Sequence, residues 1–405
     1  MAVHSTTHGL ASAGAPPVSS FAEELFGHLP RADQRRWAES YLQALLTTPG
    51  KKTVRRLAAA VSASPTACQS LQQFVNASPW DWEPARRELT RWAEAQHPVH
   101  AWTIAPAVLA KRGDHSVGVH RRFVPRAGRT LNCQFGIGLF LSGPGEHTPV
   151  DWRLFLPDRW SDDPTLRRRA RIPESVDHRP LWAETLDMVT ALAARTSLAP
   201  VPVVADMSEL PHVNPLIAGL SGQGRDFLIG VQDTMNVIAG SHLATRHSPE
   251  PSSTLSARAF LDLSRTRHPH TAVVTGPDGQ ARQTRIISGL IRLPGIRPAS
   301  GEPHHTYRLF AERPANGTRP PQVWITNMTQ RRMDELLALT RLRTGTRAVR
   351  RVLDEDFGLQ DFEGRSFPGW HHHMTLVSAA YAYSRLAGPT ASPALRVALP
   401  TQRSA

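Results

Sequence analysis

The apolar pattern of this chain changes period near Ala101, and that switch constrains the fold more than any other feature. From Phe21 to His97 apolar residues recur every three or four positions, as in FAEELFGHL and RRWAESYLQALL, so each segment offers one buried helical stripe. From Ala101 onward WTIAPAVLA, HSVGVHRRF, LNCQFGIGLFL and TPVDWRLFL read as strands separated by turns. The first two suggest a hairpin, with its turn at Lys111-Arg112-Gly113 and a second strand from about Ser116. RPLWAETLDMVTALAAR is an amphipathic helix. It leads into PVPVVADM, whose continuous apolar run suits a strand buried on both faces. A short helix near Leu210–Leu220 and a further strand, DFLIGV, follow.

Meandering strands followed by alternating helix and strand predict a mixed α/β sheet with helices on its faces, the element order of an RNase H-like domain. The predicted organisation is a disordered tail at 1–20 and an all-α N-terminal domain at 21–98. The RNase H-like domain is split into 99–235 and 319–387 around a β-rich insertion at 236–318, with a loose tail at 388–405. Within 21–98, KKTVRRLAAAVSASPTACQSLQQFVNASPWDW reads as short helices broken at Ser64-Pro65 and Ser78-Pro79. Two helices flanked by Lys51, Lys52, Arg55 and Arg56 fit a helix-turn-helix on DNA. They fit a helical bundle with a wet, basic face equally well.

Charge narrows the partner class. Forty-seven Lys and Arg against 34 Asp and Glu give a formal +13, which favours polyanions and nucleic acid first. A compositional bias towards Arg, Ala and Pro gives the same skew without a function. The longest apolar runs fall well short of the roughly 20 residues a membrane span needs, and no segment has a signal-peptide layout. The two cysteines, Cys68 and Cys133, are far apart in sequence and in no metal-ligand spacing, which implies reduced thiols and a cytoplasmic, nucleoid-associated setting.

Several blocks together resemble the DDE-superfamily endonucleases of bacterial insertion sequences: KRGDHSVGV, GRTLNCQFGIGLFL, DWRLFLP, RWSDDPTLRRRARIP and FEGRSFPGWHHHMTLVSAAYAY, with QSLQQFVNASPWDW in the helical region. The resemblance runs from about Phe21 to Leu386. It implies an RNase H-like catalytic domain in which an Asp, Asp, Glu triad holds two divalent metals for phosphodiester cleavage or strand transfer. Magnesium takes oxygen ligands in near-octahedral geometry, so each carboxylate counts. Carried over residue by residue, the first acid falls on Ala105 or Pro106, the second on Asp206 and the third on Arg347. Arg343 matches the family's helical Arg, and Thr340 stands where that pattern has Tyr. Two of three acids are thus absent, and Asp206 is the expected remnant.

The sequence therefore predicts a transposase-derived protein that binds double-stranded DNA without cutting it, with no cofactor, no membrane contact and self-association left open. The DNA-contacting candidates are Lys51, Lys52, Arg55, Arg56, Lys111, Arg112, Arg167, Arg168, Arg169, Arg343 and Arg347. The alternative is an active transposase using Mg2+ or Mn2+ on relocated carboxylates such as Asp114, Asp151 or Glu355. Glu355 would lie about 12 Å beyond Arg347 along a helix, too far to share its metal. The run His371-His372-His373 cannot converge on one ion, because successive helical residues point about 100° apart. It predicts a surface or packing role, and His304-His305 reads as loop.

Overall fold

A ten-residue strand whose side chains are buried on both faces must sit in the middle of a sheet. In the computed structural model β1 (Ala101–Ala110) does so, pairing antiparallel with β3 (Arg129–Ser142) on one side and parallel with β5 (Val203–Asp206) on the other. The structure describes residues 16–210, 212–239, 254–265, 269–275, 281–295, 305–313 and 322–387. Most of the 1–20 and all of the 388–405 segments named above, together with His304, lie outside them.

β2 (His120–Val124) and β4 (His147–Leu154) both pair with β3, along different parts of its length. Beyond β5 the sheet continues through the parallel β6 (Phe227–Val231) to the antiparallel β12 (Val323–Thr326). β7 (Asn236–Ala239), β8 (Thr254–Ser256), β9 (Pro269–Thr275), β10 (Ala281–Arg292) and β11 (Tyr307–Arg313) prolong it, so the residues from 236 onward extend the sheet through the β11–β12 pairing. The fold is a mixed α/β, RNase H-like arrangement preceded by helices.

Those helices are α1 (Val18–Phe26), α2 (Ala32–Thr47), α3 (Val54–Val61), α4 (Ala67–Asn76) and α5 (Glu83–Gln96). After the first strands come α6 (Asp158–Asp162), α7 (Pro164–Ala170), α8 (Leu181–Arg195) and α9 (Asn214–Gly222), then α10 (Ala257–Arg265), α11 (Met333–Glu355) and α12 (Phe367–Leu386). α8 and α9 cover one sheet face, where Met188, Leu192 and Ile217 meet Trp102, Ile104 and Ile229. On the other face α11 packs Leu336 and Leu337 against Val204, Leu228 and Trp324. α12 is buried almost all round, and its core is continuous with that of α1 to α5.

Two sequence expectations need correction. β1 and β2 do not form a hairpin, because β3 lies between them, and β2 starts at His120 because residues 116–119 are taken up in a turn with Gly118 at φ 73°. The helix expected from Leu210 begins at Asn214, after His212 at φ 64° and with a proline in its first turn. Among the described residues the 236–318 region holds five strands, β7 to β11, and one helix, α10.

The histidine run takes the packing role. His371, His372 and His373 are each 1% exposed or less. His372 stacks on Trp80 at 3.8 Å, His371 on Trp82 at 4.5 Å, and His373 lies against Phe362 at 5.3 Å. They bind α12 to the N-terminal helices, and both cysteines are free.

Candidate functional site

Asp206 is the last residue of β5, where the strand leaves the sheet, and its side chain is 10% exposed. The following Met-Ser closes a side-chain turn on it: the Ser208 hydroxyl donates to Oδ1 at 2.6 Å and the Ser208 amide at 3.2 Å. The other oxygen, Oδ2, accepts from Arg343 Nη1 at 2.5 Å and Arg347 Nη2 at 2.6 Å. Burial opposes the charged carboxylate. The Ser208 hydrogen bond and the two guanidiniums outweigh it and hold the carboxyl below its usual range. Gly230, opposite Asp206 on β6, has no Cβ to crowd that carboxylate.

α11 delivers both arginines. They are four residues apart and so share a helical face. Arg343 lies over the Trp324 ring at 5.3 Å and also donates to Gln322 Oε1 at 3.3 Å. Between the arginines, Thr346 shares a 2.7 Å hydrogen bond with Thr103 of β1, which shares another of 2.6 Å with Ser142 of β3. The His147 ring continues this chain, 2.8 Å from the Ser142 hydroxyl, and burial pushes its pKa down to about 4. At Gly345 any Cβ would run into the His147 ring, so only glycine lets α11 approach this closely.

Strand register separates Ala105 from Pro106. Thr103 pairs with Val204 and Ile104 with Ala205, so Ala105 stands beside Asp206 one step further on. Thr103 reaches α11, so Ala105, two residues on, is on the α11 face with Asp206, and Pro106 is on the other. Arg347 reaches Asp206 directly, as an acid at that position would reach a shared metal.

The cavity lined by these residues has a volume of about 40 Å³, with Arg343, Arg347, Arg350, Arg122 and Glu209 in its wall. That is space for a few water molecules, at roughly 10–15 Å³ each. Among the described residues, no group of three His, Cys, Asp or Glu side chains is placed to hold a metal ion. A pair of dications does not fit a wall whose only carboxylates among the described residues are Glu209 and an Asp206 already bound by two guanidiniums.

The proposed substitutes lie elsewhere. Asp151 is fully buried in β4, where it accepts from Arg86 Nη1 at 2.6 Å and Arg195 Nη2 at 3.3 Å. Asp114 sits in the exposed turn after β1, and Glu355 is exposed at the end of α11. None of the three lines the Asp206 cavity. The sequence reading missed Glu209, Arg122 and Arg350, which do. Their positions in a loop, an edge strand and a charged helix carry no motif.

The basic candidates divide by what their donors already do. Lys52 is 3% exposed, and its ammonium caps the end of α2 by donating to the Leu45 and Thr48 carbonyls, so it is no surface contact. Lys111 donates to the Phe362 carbonyl at 2.7 Å and to that of Gln360 at 3.2 Å, and burial lowers its pKa to about 8. Arg167 is spent on Asp177 and the Pro173 carbonyl at 2.9 and 2.7 Å. Arg343 and Arg347 serve Asp206. Lys51, Arg55, Arg56, Arg112, Arg168 and Arg169 are exposed, although Arg56 also donates to the Pro49 carbonyl at 2.7 Å.

No helix among the described residues is long and apolar enough to cross a membrane. No curated protein matches this chain. A solved structure of the piggyBac transposase, in a synaptic complex with hairpin DNA, is similar at a TM-score of 0.41 and 12% sequence identity, covering 90% of this chain and 71% of that one. The family model described as DDE superfamily endonuclease matches residues 24–288, which include Ala105 and Asp206 and stop short of α11. That match spans more than half of the sequence, and the chain belongs to the DDE superfamily endonucleases.

Proposed function

We propose that this chain binds duplex DNA and does not cut it. The observation that carries the reading is the state of Asp206: one carboxylate, clamped by Arg343 and Arg347, with alanine at the neighbouring acid position. Breaking a phosphodiester by the two-metal route needs paired dications to activate the attacking oxygen and stabilise the leaving one. Two guanidiniums in their place supply charge and hydrogen bonds but leave no open coordination site. DNA binding is supported by the net charge of +13 and by the exposed Lys51, Arg55, Arg112, Arg168 and Arg169. Such a protein suits a regulatory role, including occupying the DNA ends of an active relative.

The test is duplex binding measured by fluorescence anisotropy across a salt series, with EDTA or with Mg2+ or Mn2+, alongside nicking of supercoiled plasmid. The expected result is steep salt dependence, no effect of chelation and no nicking. Metal-dependent nicking abolished by Asp206→Ala would overturn the reading in favour of an active enzyme using Glu209 or another acid.

A further inference from the structure

An acid-free stretch of the sequence coincides with a part of the sheet that has few neighbours. Between Asp114 and Glu146 there are four arginines, Arg121, Arg122, Arg126 and Arg129, and no acidic residue. β2 and the first part of β3 fall in this stretch. β2 pairs with β3 alone, and residues 129–131 of β3 pair with β2 alone, because the β1 pairing begins at Cys133 and the β4 pairing at Gly136. Residues 120–133 therefore form a two-stranded ribbon that runs on past the sheet for about 14 Å, at ~3.4 Å per residue. The turn at its tip, Pro125–Ala127, ends on Gly128 at φ 62°, where an added Cβ would meet nothing within 4 Å.

Side chains alternate across the ribbon. On one face Arg121 and Phe123 stand opposite Asn132 and Thr130, and on the other Arg122 and Val124 stand opposite Leu131 and Arg129. The second face is turned to the body of the protein, where Arg122 lies over the Phe135 ring at 4.1 Å and reaches the wall of the Asp206 cavity. The first face is open. Phe123 is 59% exposed, which no other large apolar side chain among the described residues exceeds. Arg121, Arg129 and Thr130 are exposed as well. A single exposed ring is ordinary on a protein surface. A ring set among exposed cations, on a ribbon clear of the sheet, fits a partner that is anionic outside and apolar within.

We propose that this ribbon is an arm that lies in the major groove of duplex DNA, with Phe123 against the base edges and Arg121 and Arg129 on the flanking phosphates. The inference rests on the DNA-binding reading and names an element that makes the contact. The major groove, about 12 Å wide and about 8.5 Å deep, admits a two-stranded ribbon, whereas the minor groove is only about 6 Å wide. Each arginine neutralises a phosphate, and a phenyl ring on the groove floor meets thymine methyl groups. A second copy of this chain, adding its own β2 to the open edge, would set arginines beside arginines, and like charges across a strand pair are destabilising.

The full chain tests this by fluorescence anisotropy on a mixed-sequence duplex. Phe123→Ala should weaken binding about tenfold, as loss of a buried ring implies, with the salt slope unchanged, and Phe123→Tyr should retain wild-type affinity. Arg121→Ala with Arg129→Ala should flatten the slope by about 1.8, that is about 0.9 for each of two phosphates. All three positions are exposed, so melting temperatures should match wild type. On a duplex whose cytosines carry glucosylated hydroxymethyl groups, which fill the major groove, the difference between wild type and Phe123→Ala should disappear. Distamycin, which fills the minor groove, should leave that difference intact. Duplex binding by wild type that none of these variants alters overturns the arm and leaves the DNA-binding reading standing. No duplex binding at all overturns both. A difference that distamycin abolishes and glucosylation does not overturns the groove assignment and the proposal with it. Sedimentation velocity covers the rival occupant: if Phe123→Ala splits an oligomer while duplex affinity is unchanged, the ribbon belongs to a second copy and the proposal fails.

Discussion

Replacing Asp206 by asparagine separates a clamped carboxylate from a metal-binding one by the sign of its effect on stability. In an empty cluster of three acids, neutralising one relieves repulsion and raises stability. Here Oδ2 accepts two charged hydrogen bonds of 2.5 and 2.6 Å, and asparagine removes the charge that makes them strong. Hydrogen bonds to charged groups contribute about 1.5–3 kcal/mol each, and breaking a fully buried pair costs about 3–5 kcal/mol. Arg343 and Arg347 are 23% and 35% exposed and can turn partly to water, which lowers the loss to about 2–3 kcal/mol. Urea unfolding at pH 7 should show Asp206→Asn less stable by that amount. In an Arg343→Met background the loss should fall by roughly half, as a double-mutant cycle would register. The pH dependence follows from the same interactions. A carboxyl held below its usual range contributes stability that is complete above its unfolded pKa of about 4 and disappears as pH falls through the folded value. The gap between wild type and Asp206→Asn should therefore be constant from pH 5 to 8 and close below pH 4. An Asp206→Asn protein as stable as wild type, or more so, would refute the clamp.

Three further outcomes can be checked directly. Burial holds His372 and His373 at a pKa of about 4 and His371 well below its ordinary value, so the unfolded chain binds more protons than the folded one between pH 6.5 and 4. Stability should fall across that window as pH drops, by about 1.4 kcal/mol per pH unit for each proton taken up, measured by chemical unfolding at several pH values. Arg168→Ala with Arg169→Ala should flatten the salt dependence of duplex binding by about 0.9 for each phosphate no longer neutralised and leave the melting temperature unchanged, whereas Lys52→Ala should lower the melting temperature through the exposed end of α2. Ala105→Asp combined with Arg347→Glu should give a protein whose melting temperature rises with Mn2+ and falls back with EDTA, while wild type responds to neither; no Mn2+ response would mean that these positions do not face a common metal site.

Local patterning carried much of the architecture. The three-to-four spacing of apolar residues in α8 and the unbroken apolar run of β5 are intrinsic to their segments, so both elements could be read directly. Strand order could not. A turn at Lys111-Arg112-Gly113 looks the same whether the next strand pairs with β1 or is displaced by β3, because that choice is made by residues some 20 positions later. The same limit left Ala105 and Pro106 undivided until the pairing of Ile104 with Ala205 fixed the register. Charged residues misled in one direction. Lys52, Lys111 and Arg167 look like surface cations, yet each places its donors on backbone carbonyls that helix ends or loops leave unpaired.

On the function proposed above, the charge of the Asp206 site accounts for a fold that needs no metal there. Three carboxylates beside Arg343 would carry a net charge of minus two when empty and plus two with a pair of dications. Asp206 with Arg343 and Arg347 carries plus one at all times. An empty acidic site repels the phosphate backbone and costs stability through like-charge repulsion, whereas the arginine-clamped site does neither. On that proposal, a guanidinium in place of one acid and a methyl in place of another would remove the dependence on metal together with cleavage. The ion pairs of Arg343 and Arg347 with Asp206 hold α11 against β5. Losing either arginine would leave the buried Asp206 carboxylate poorly paired.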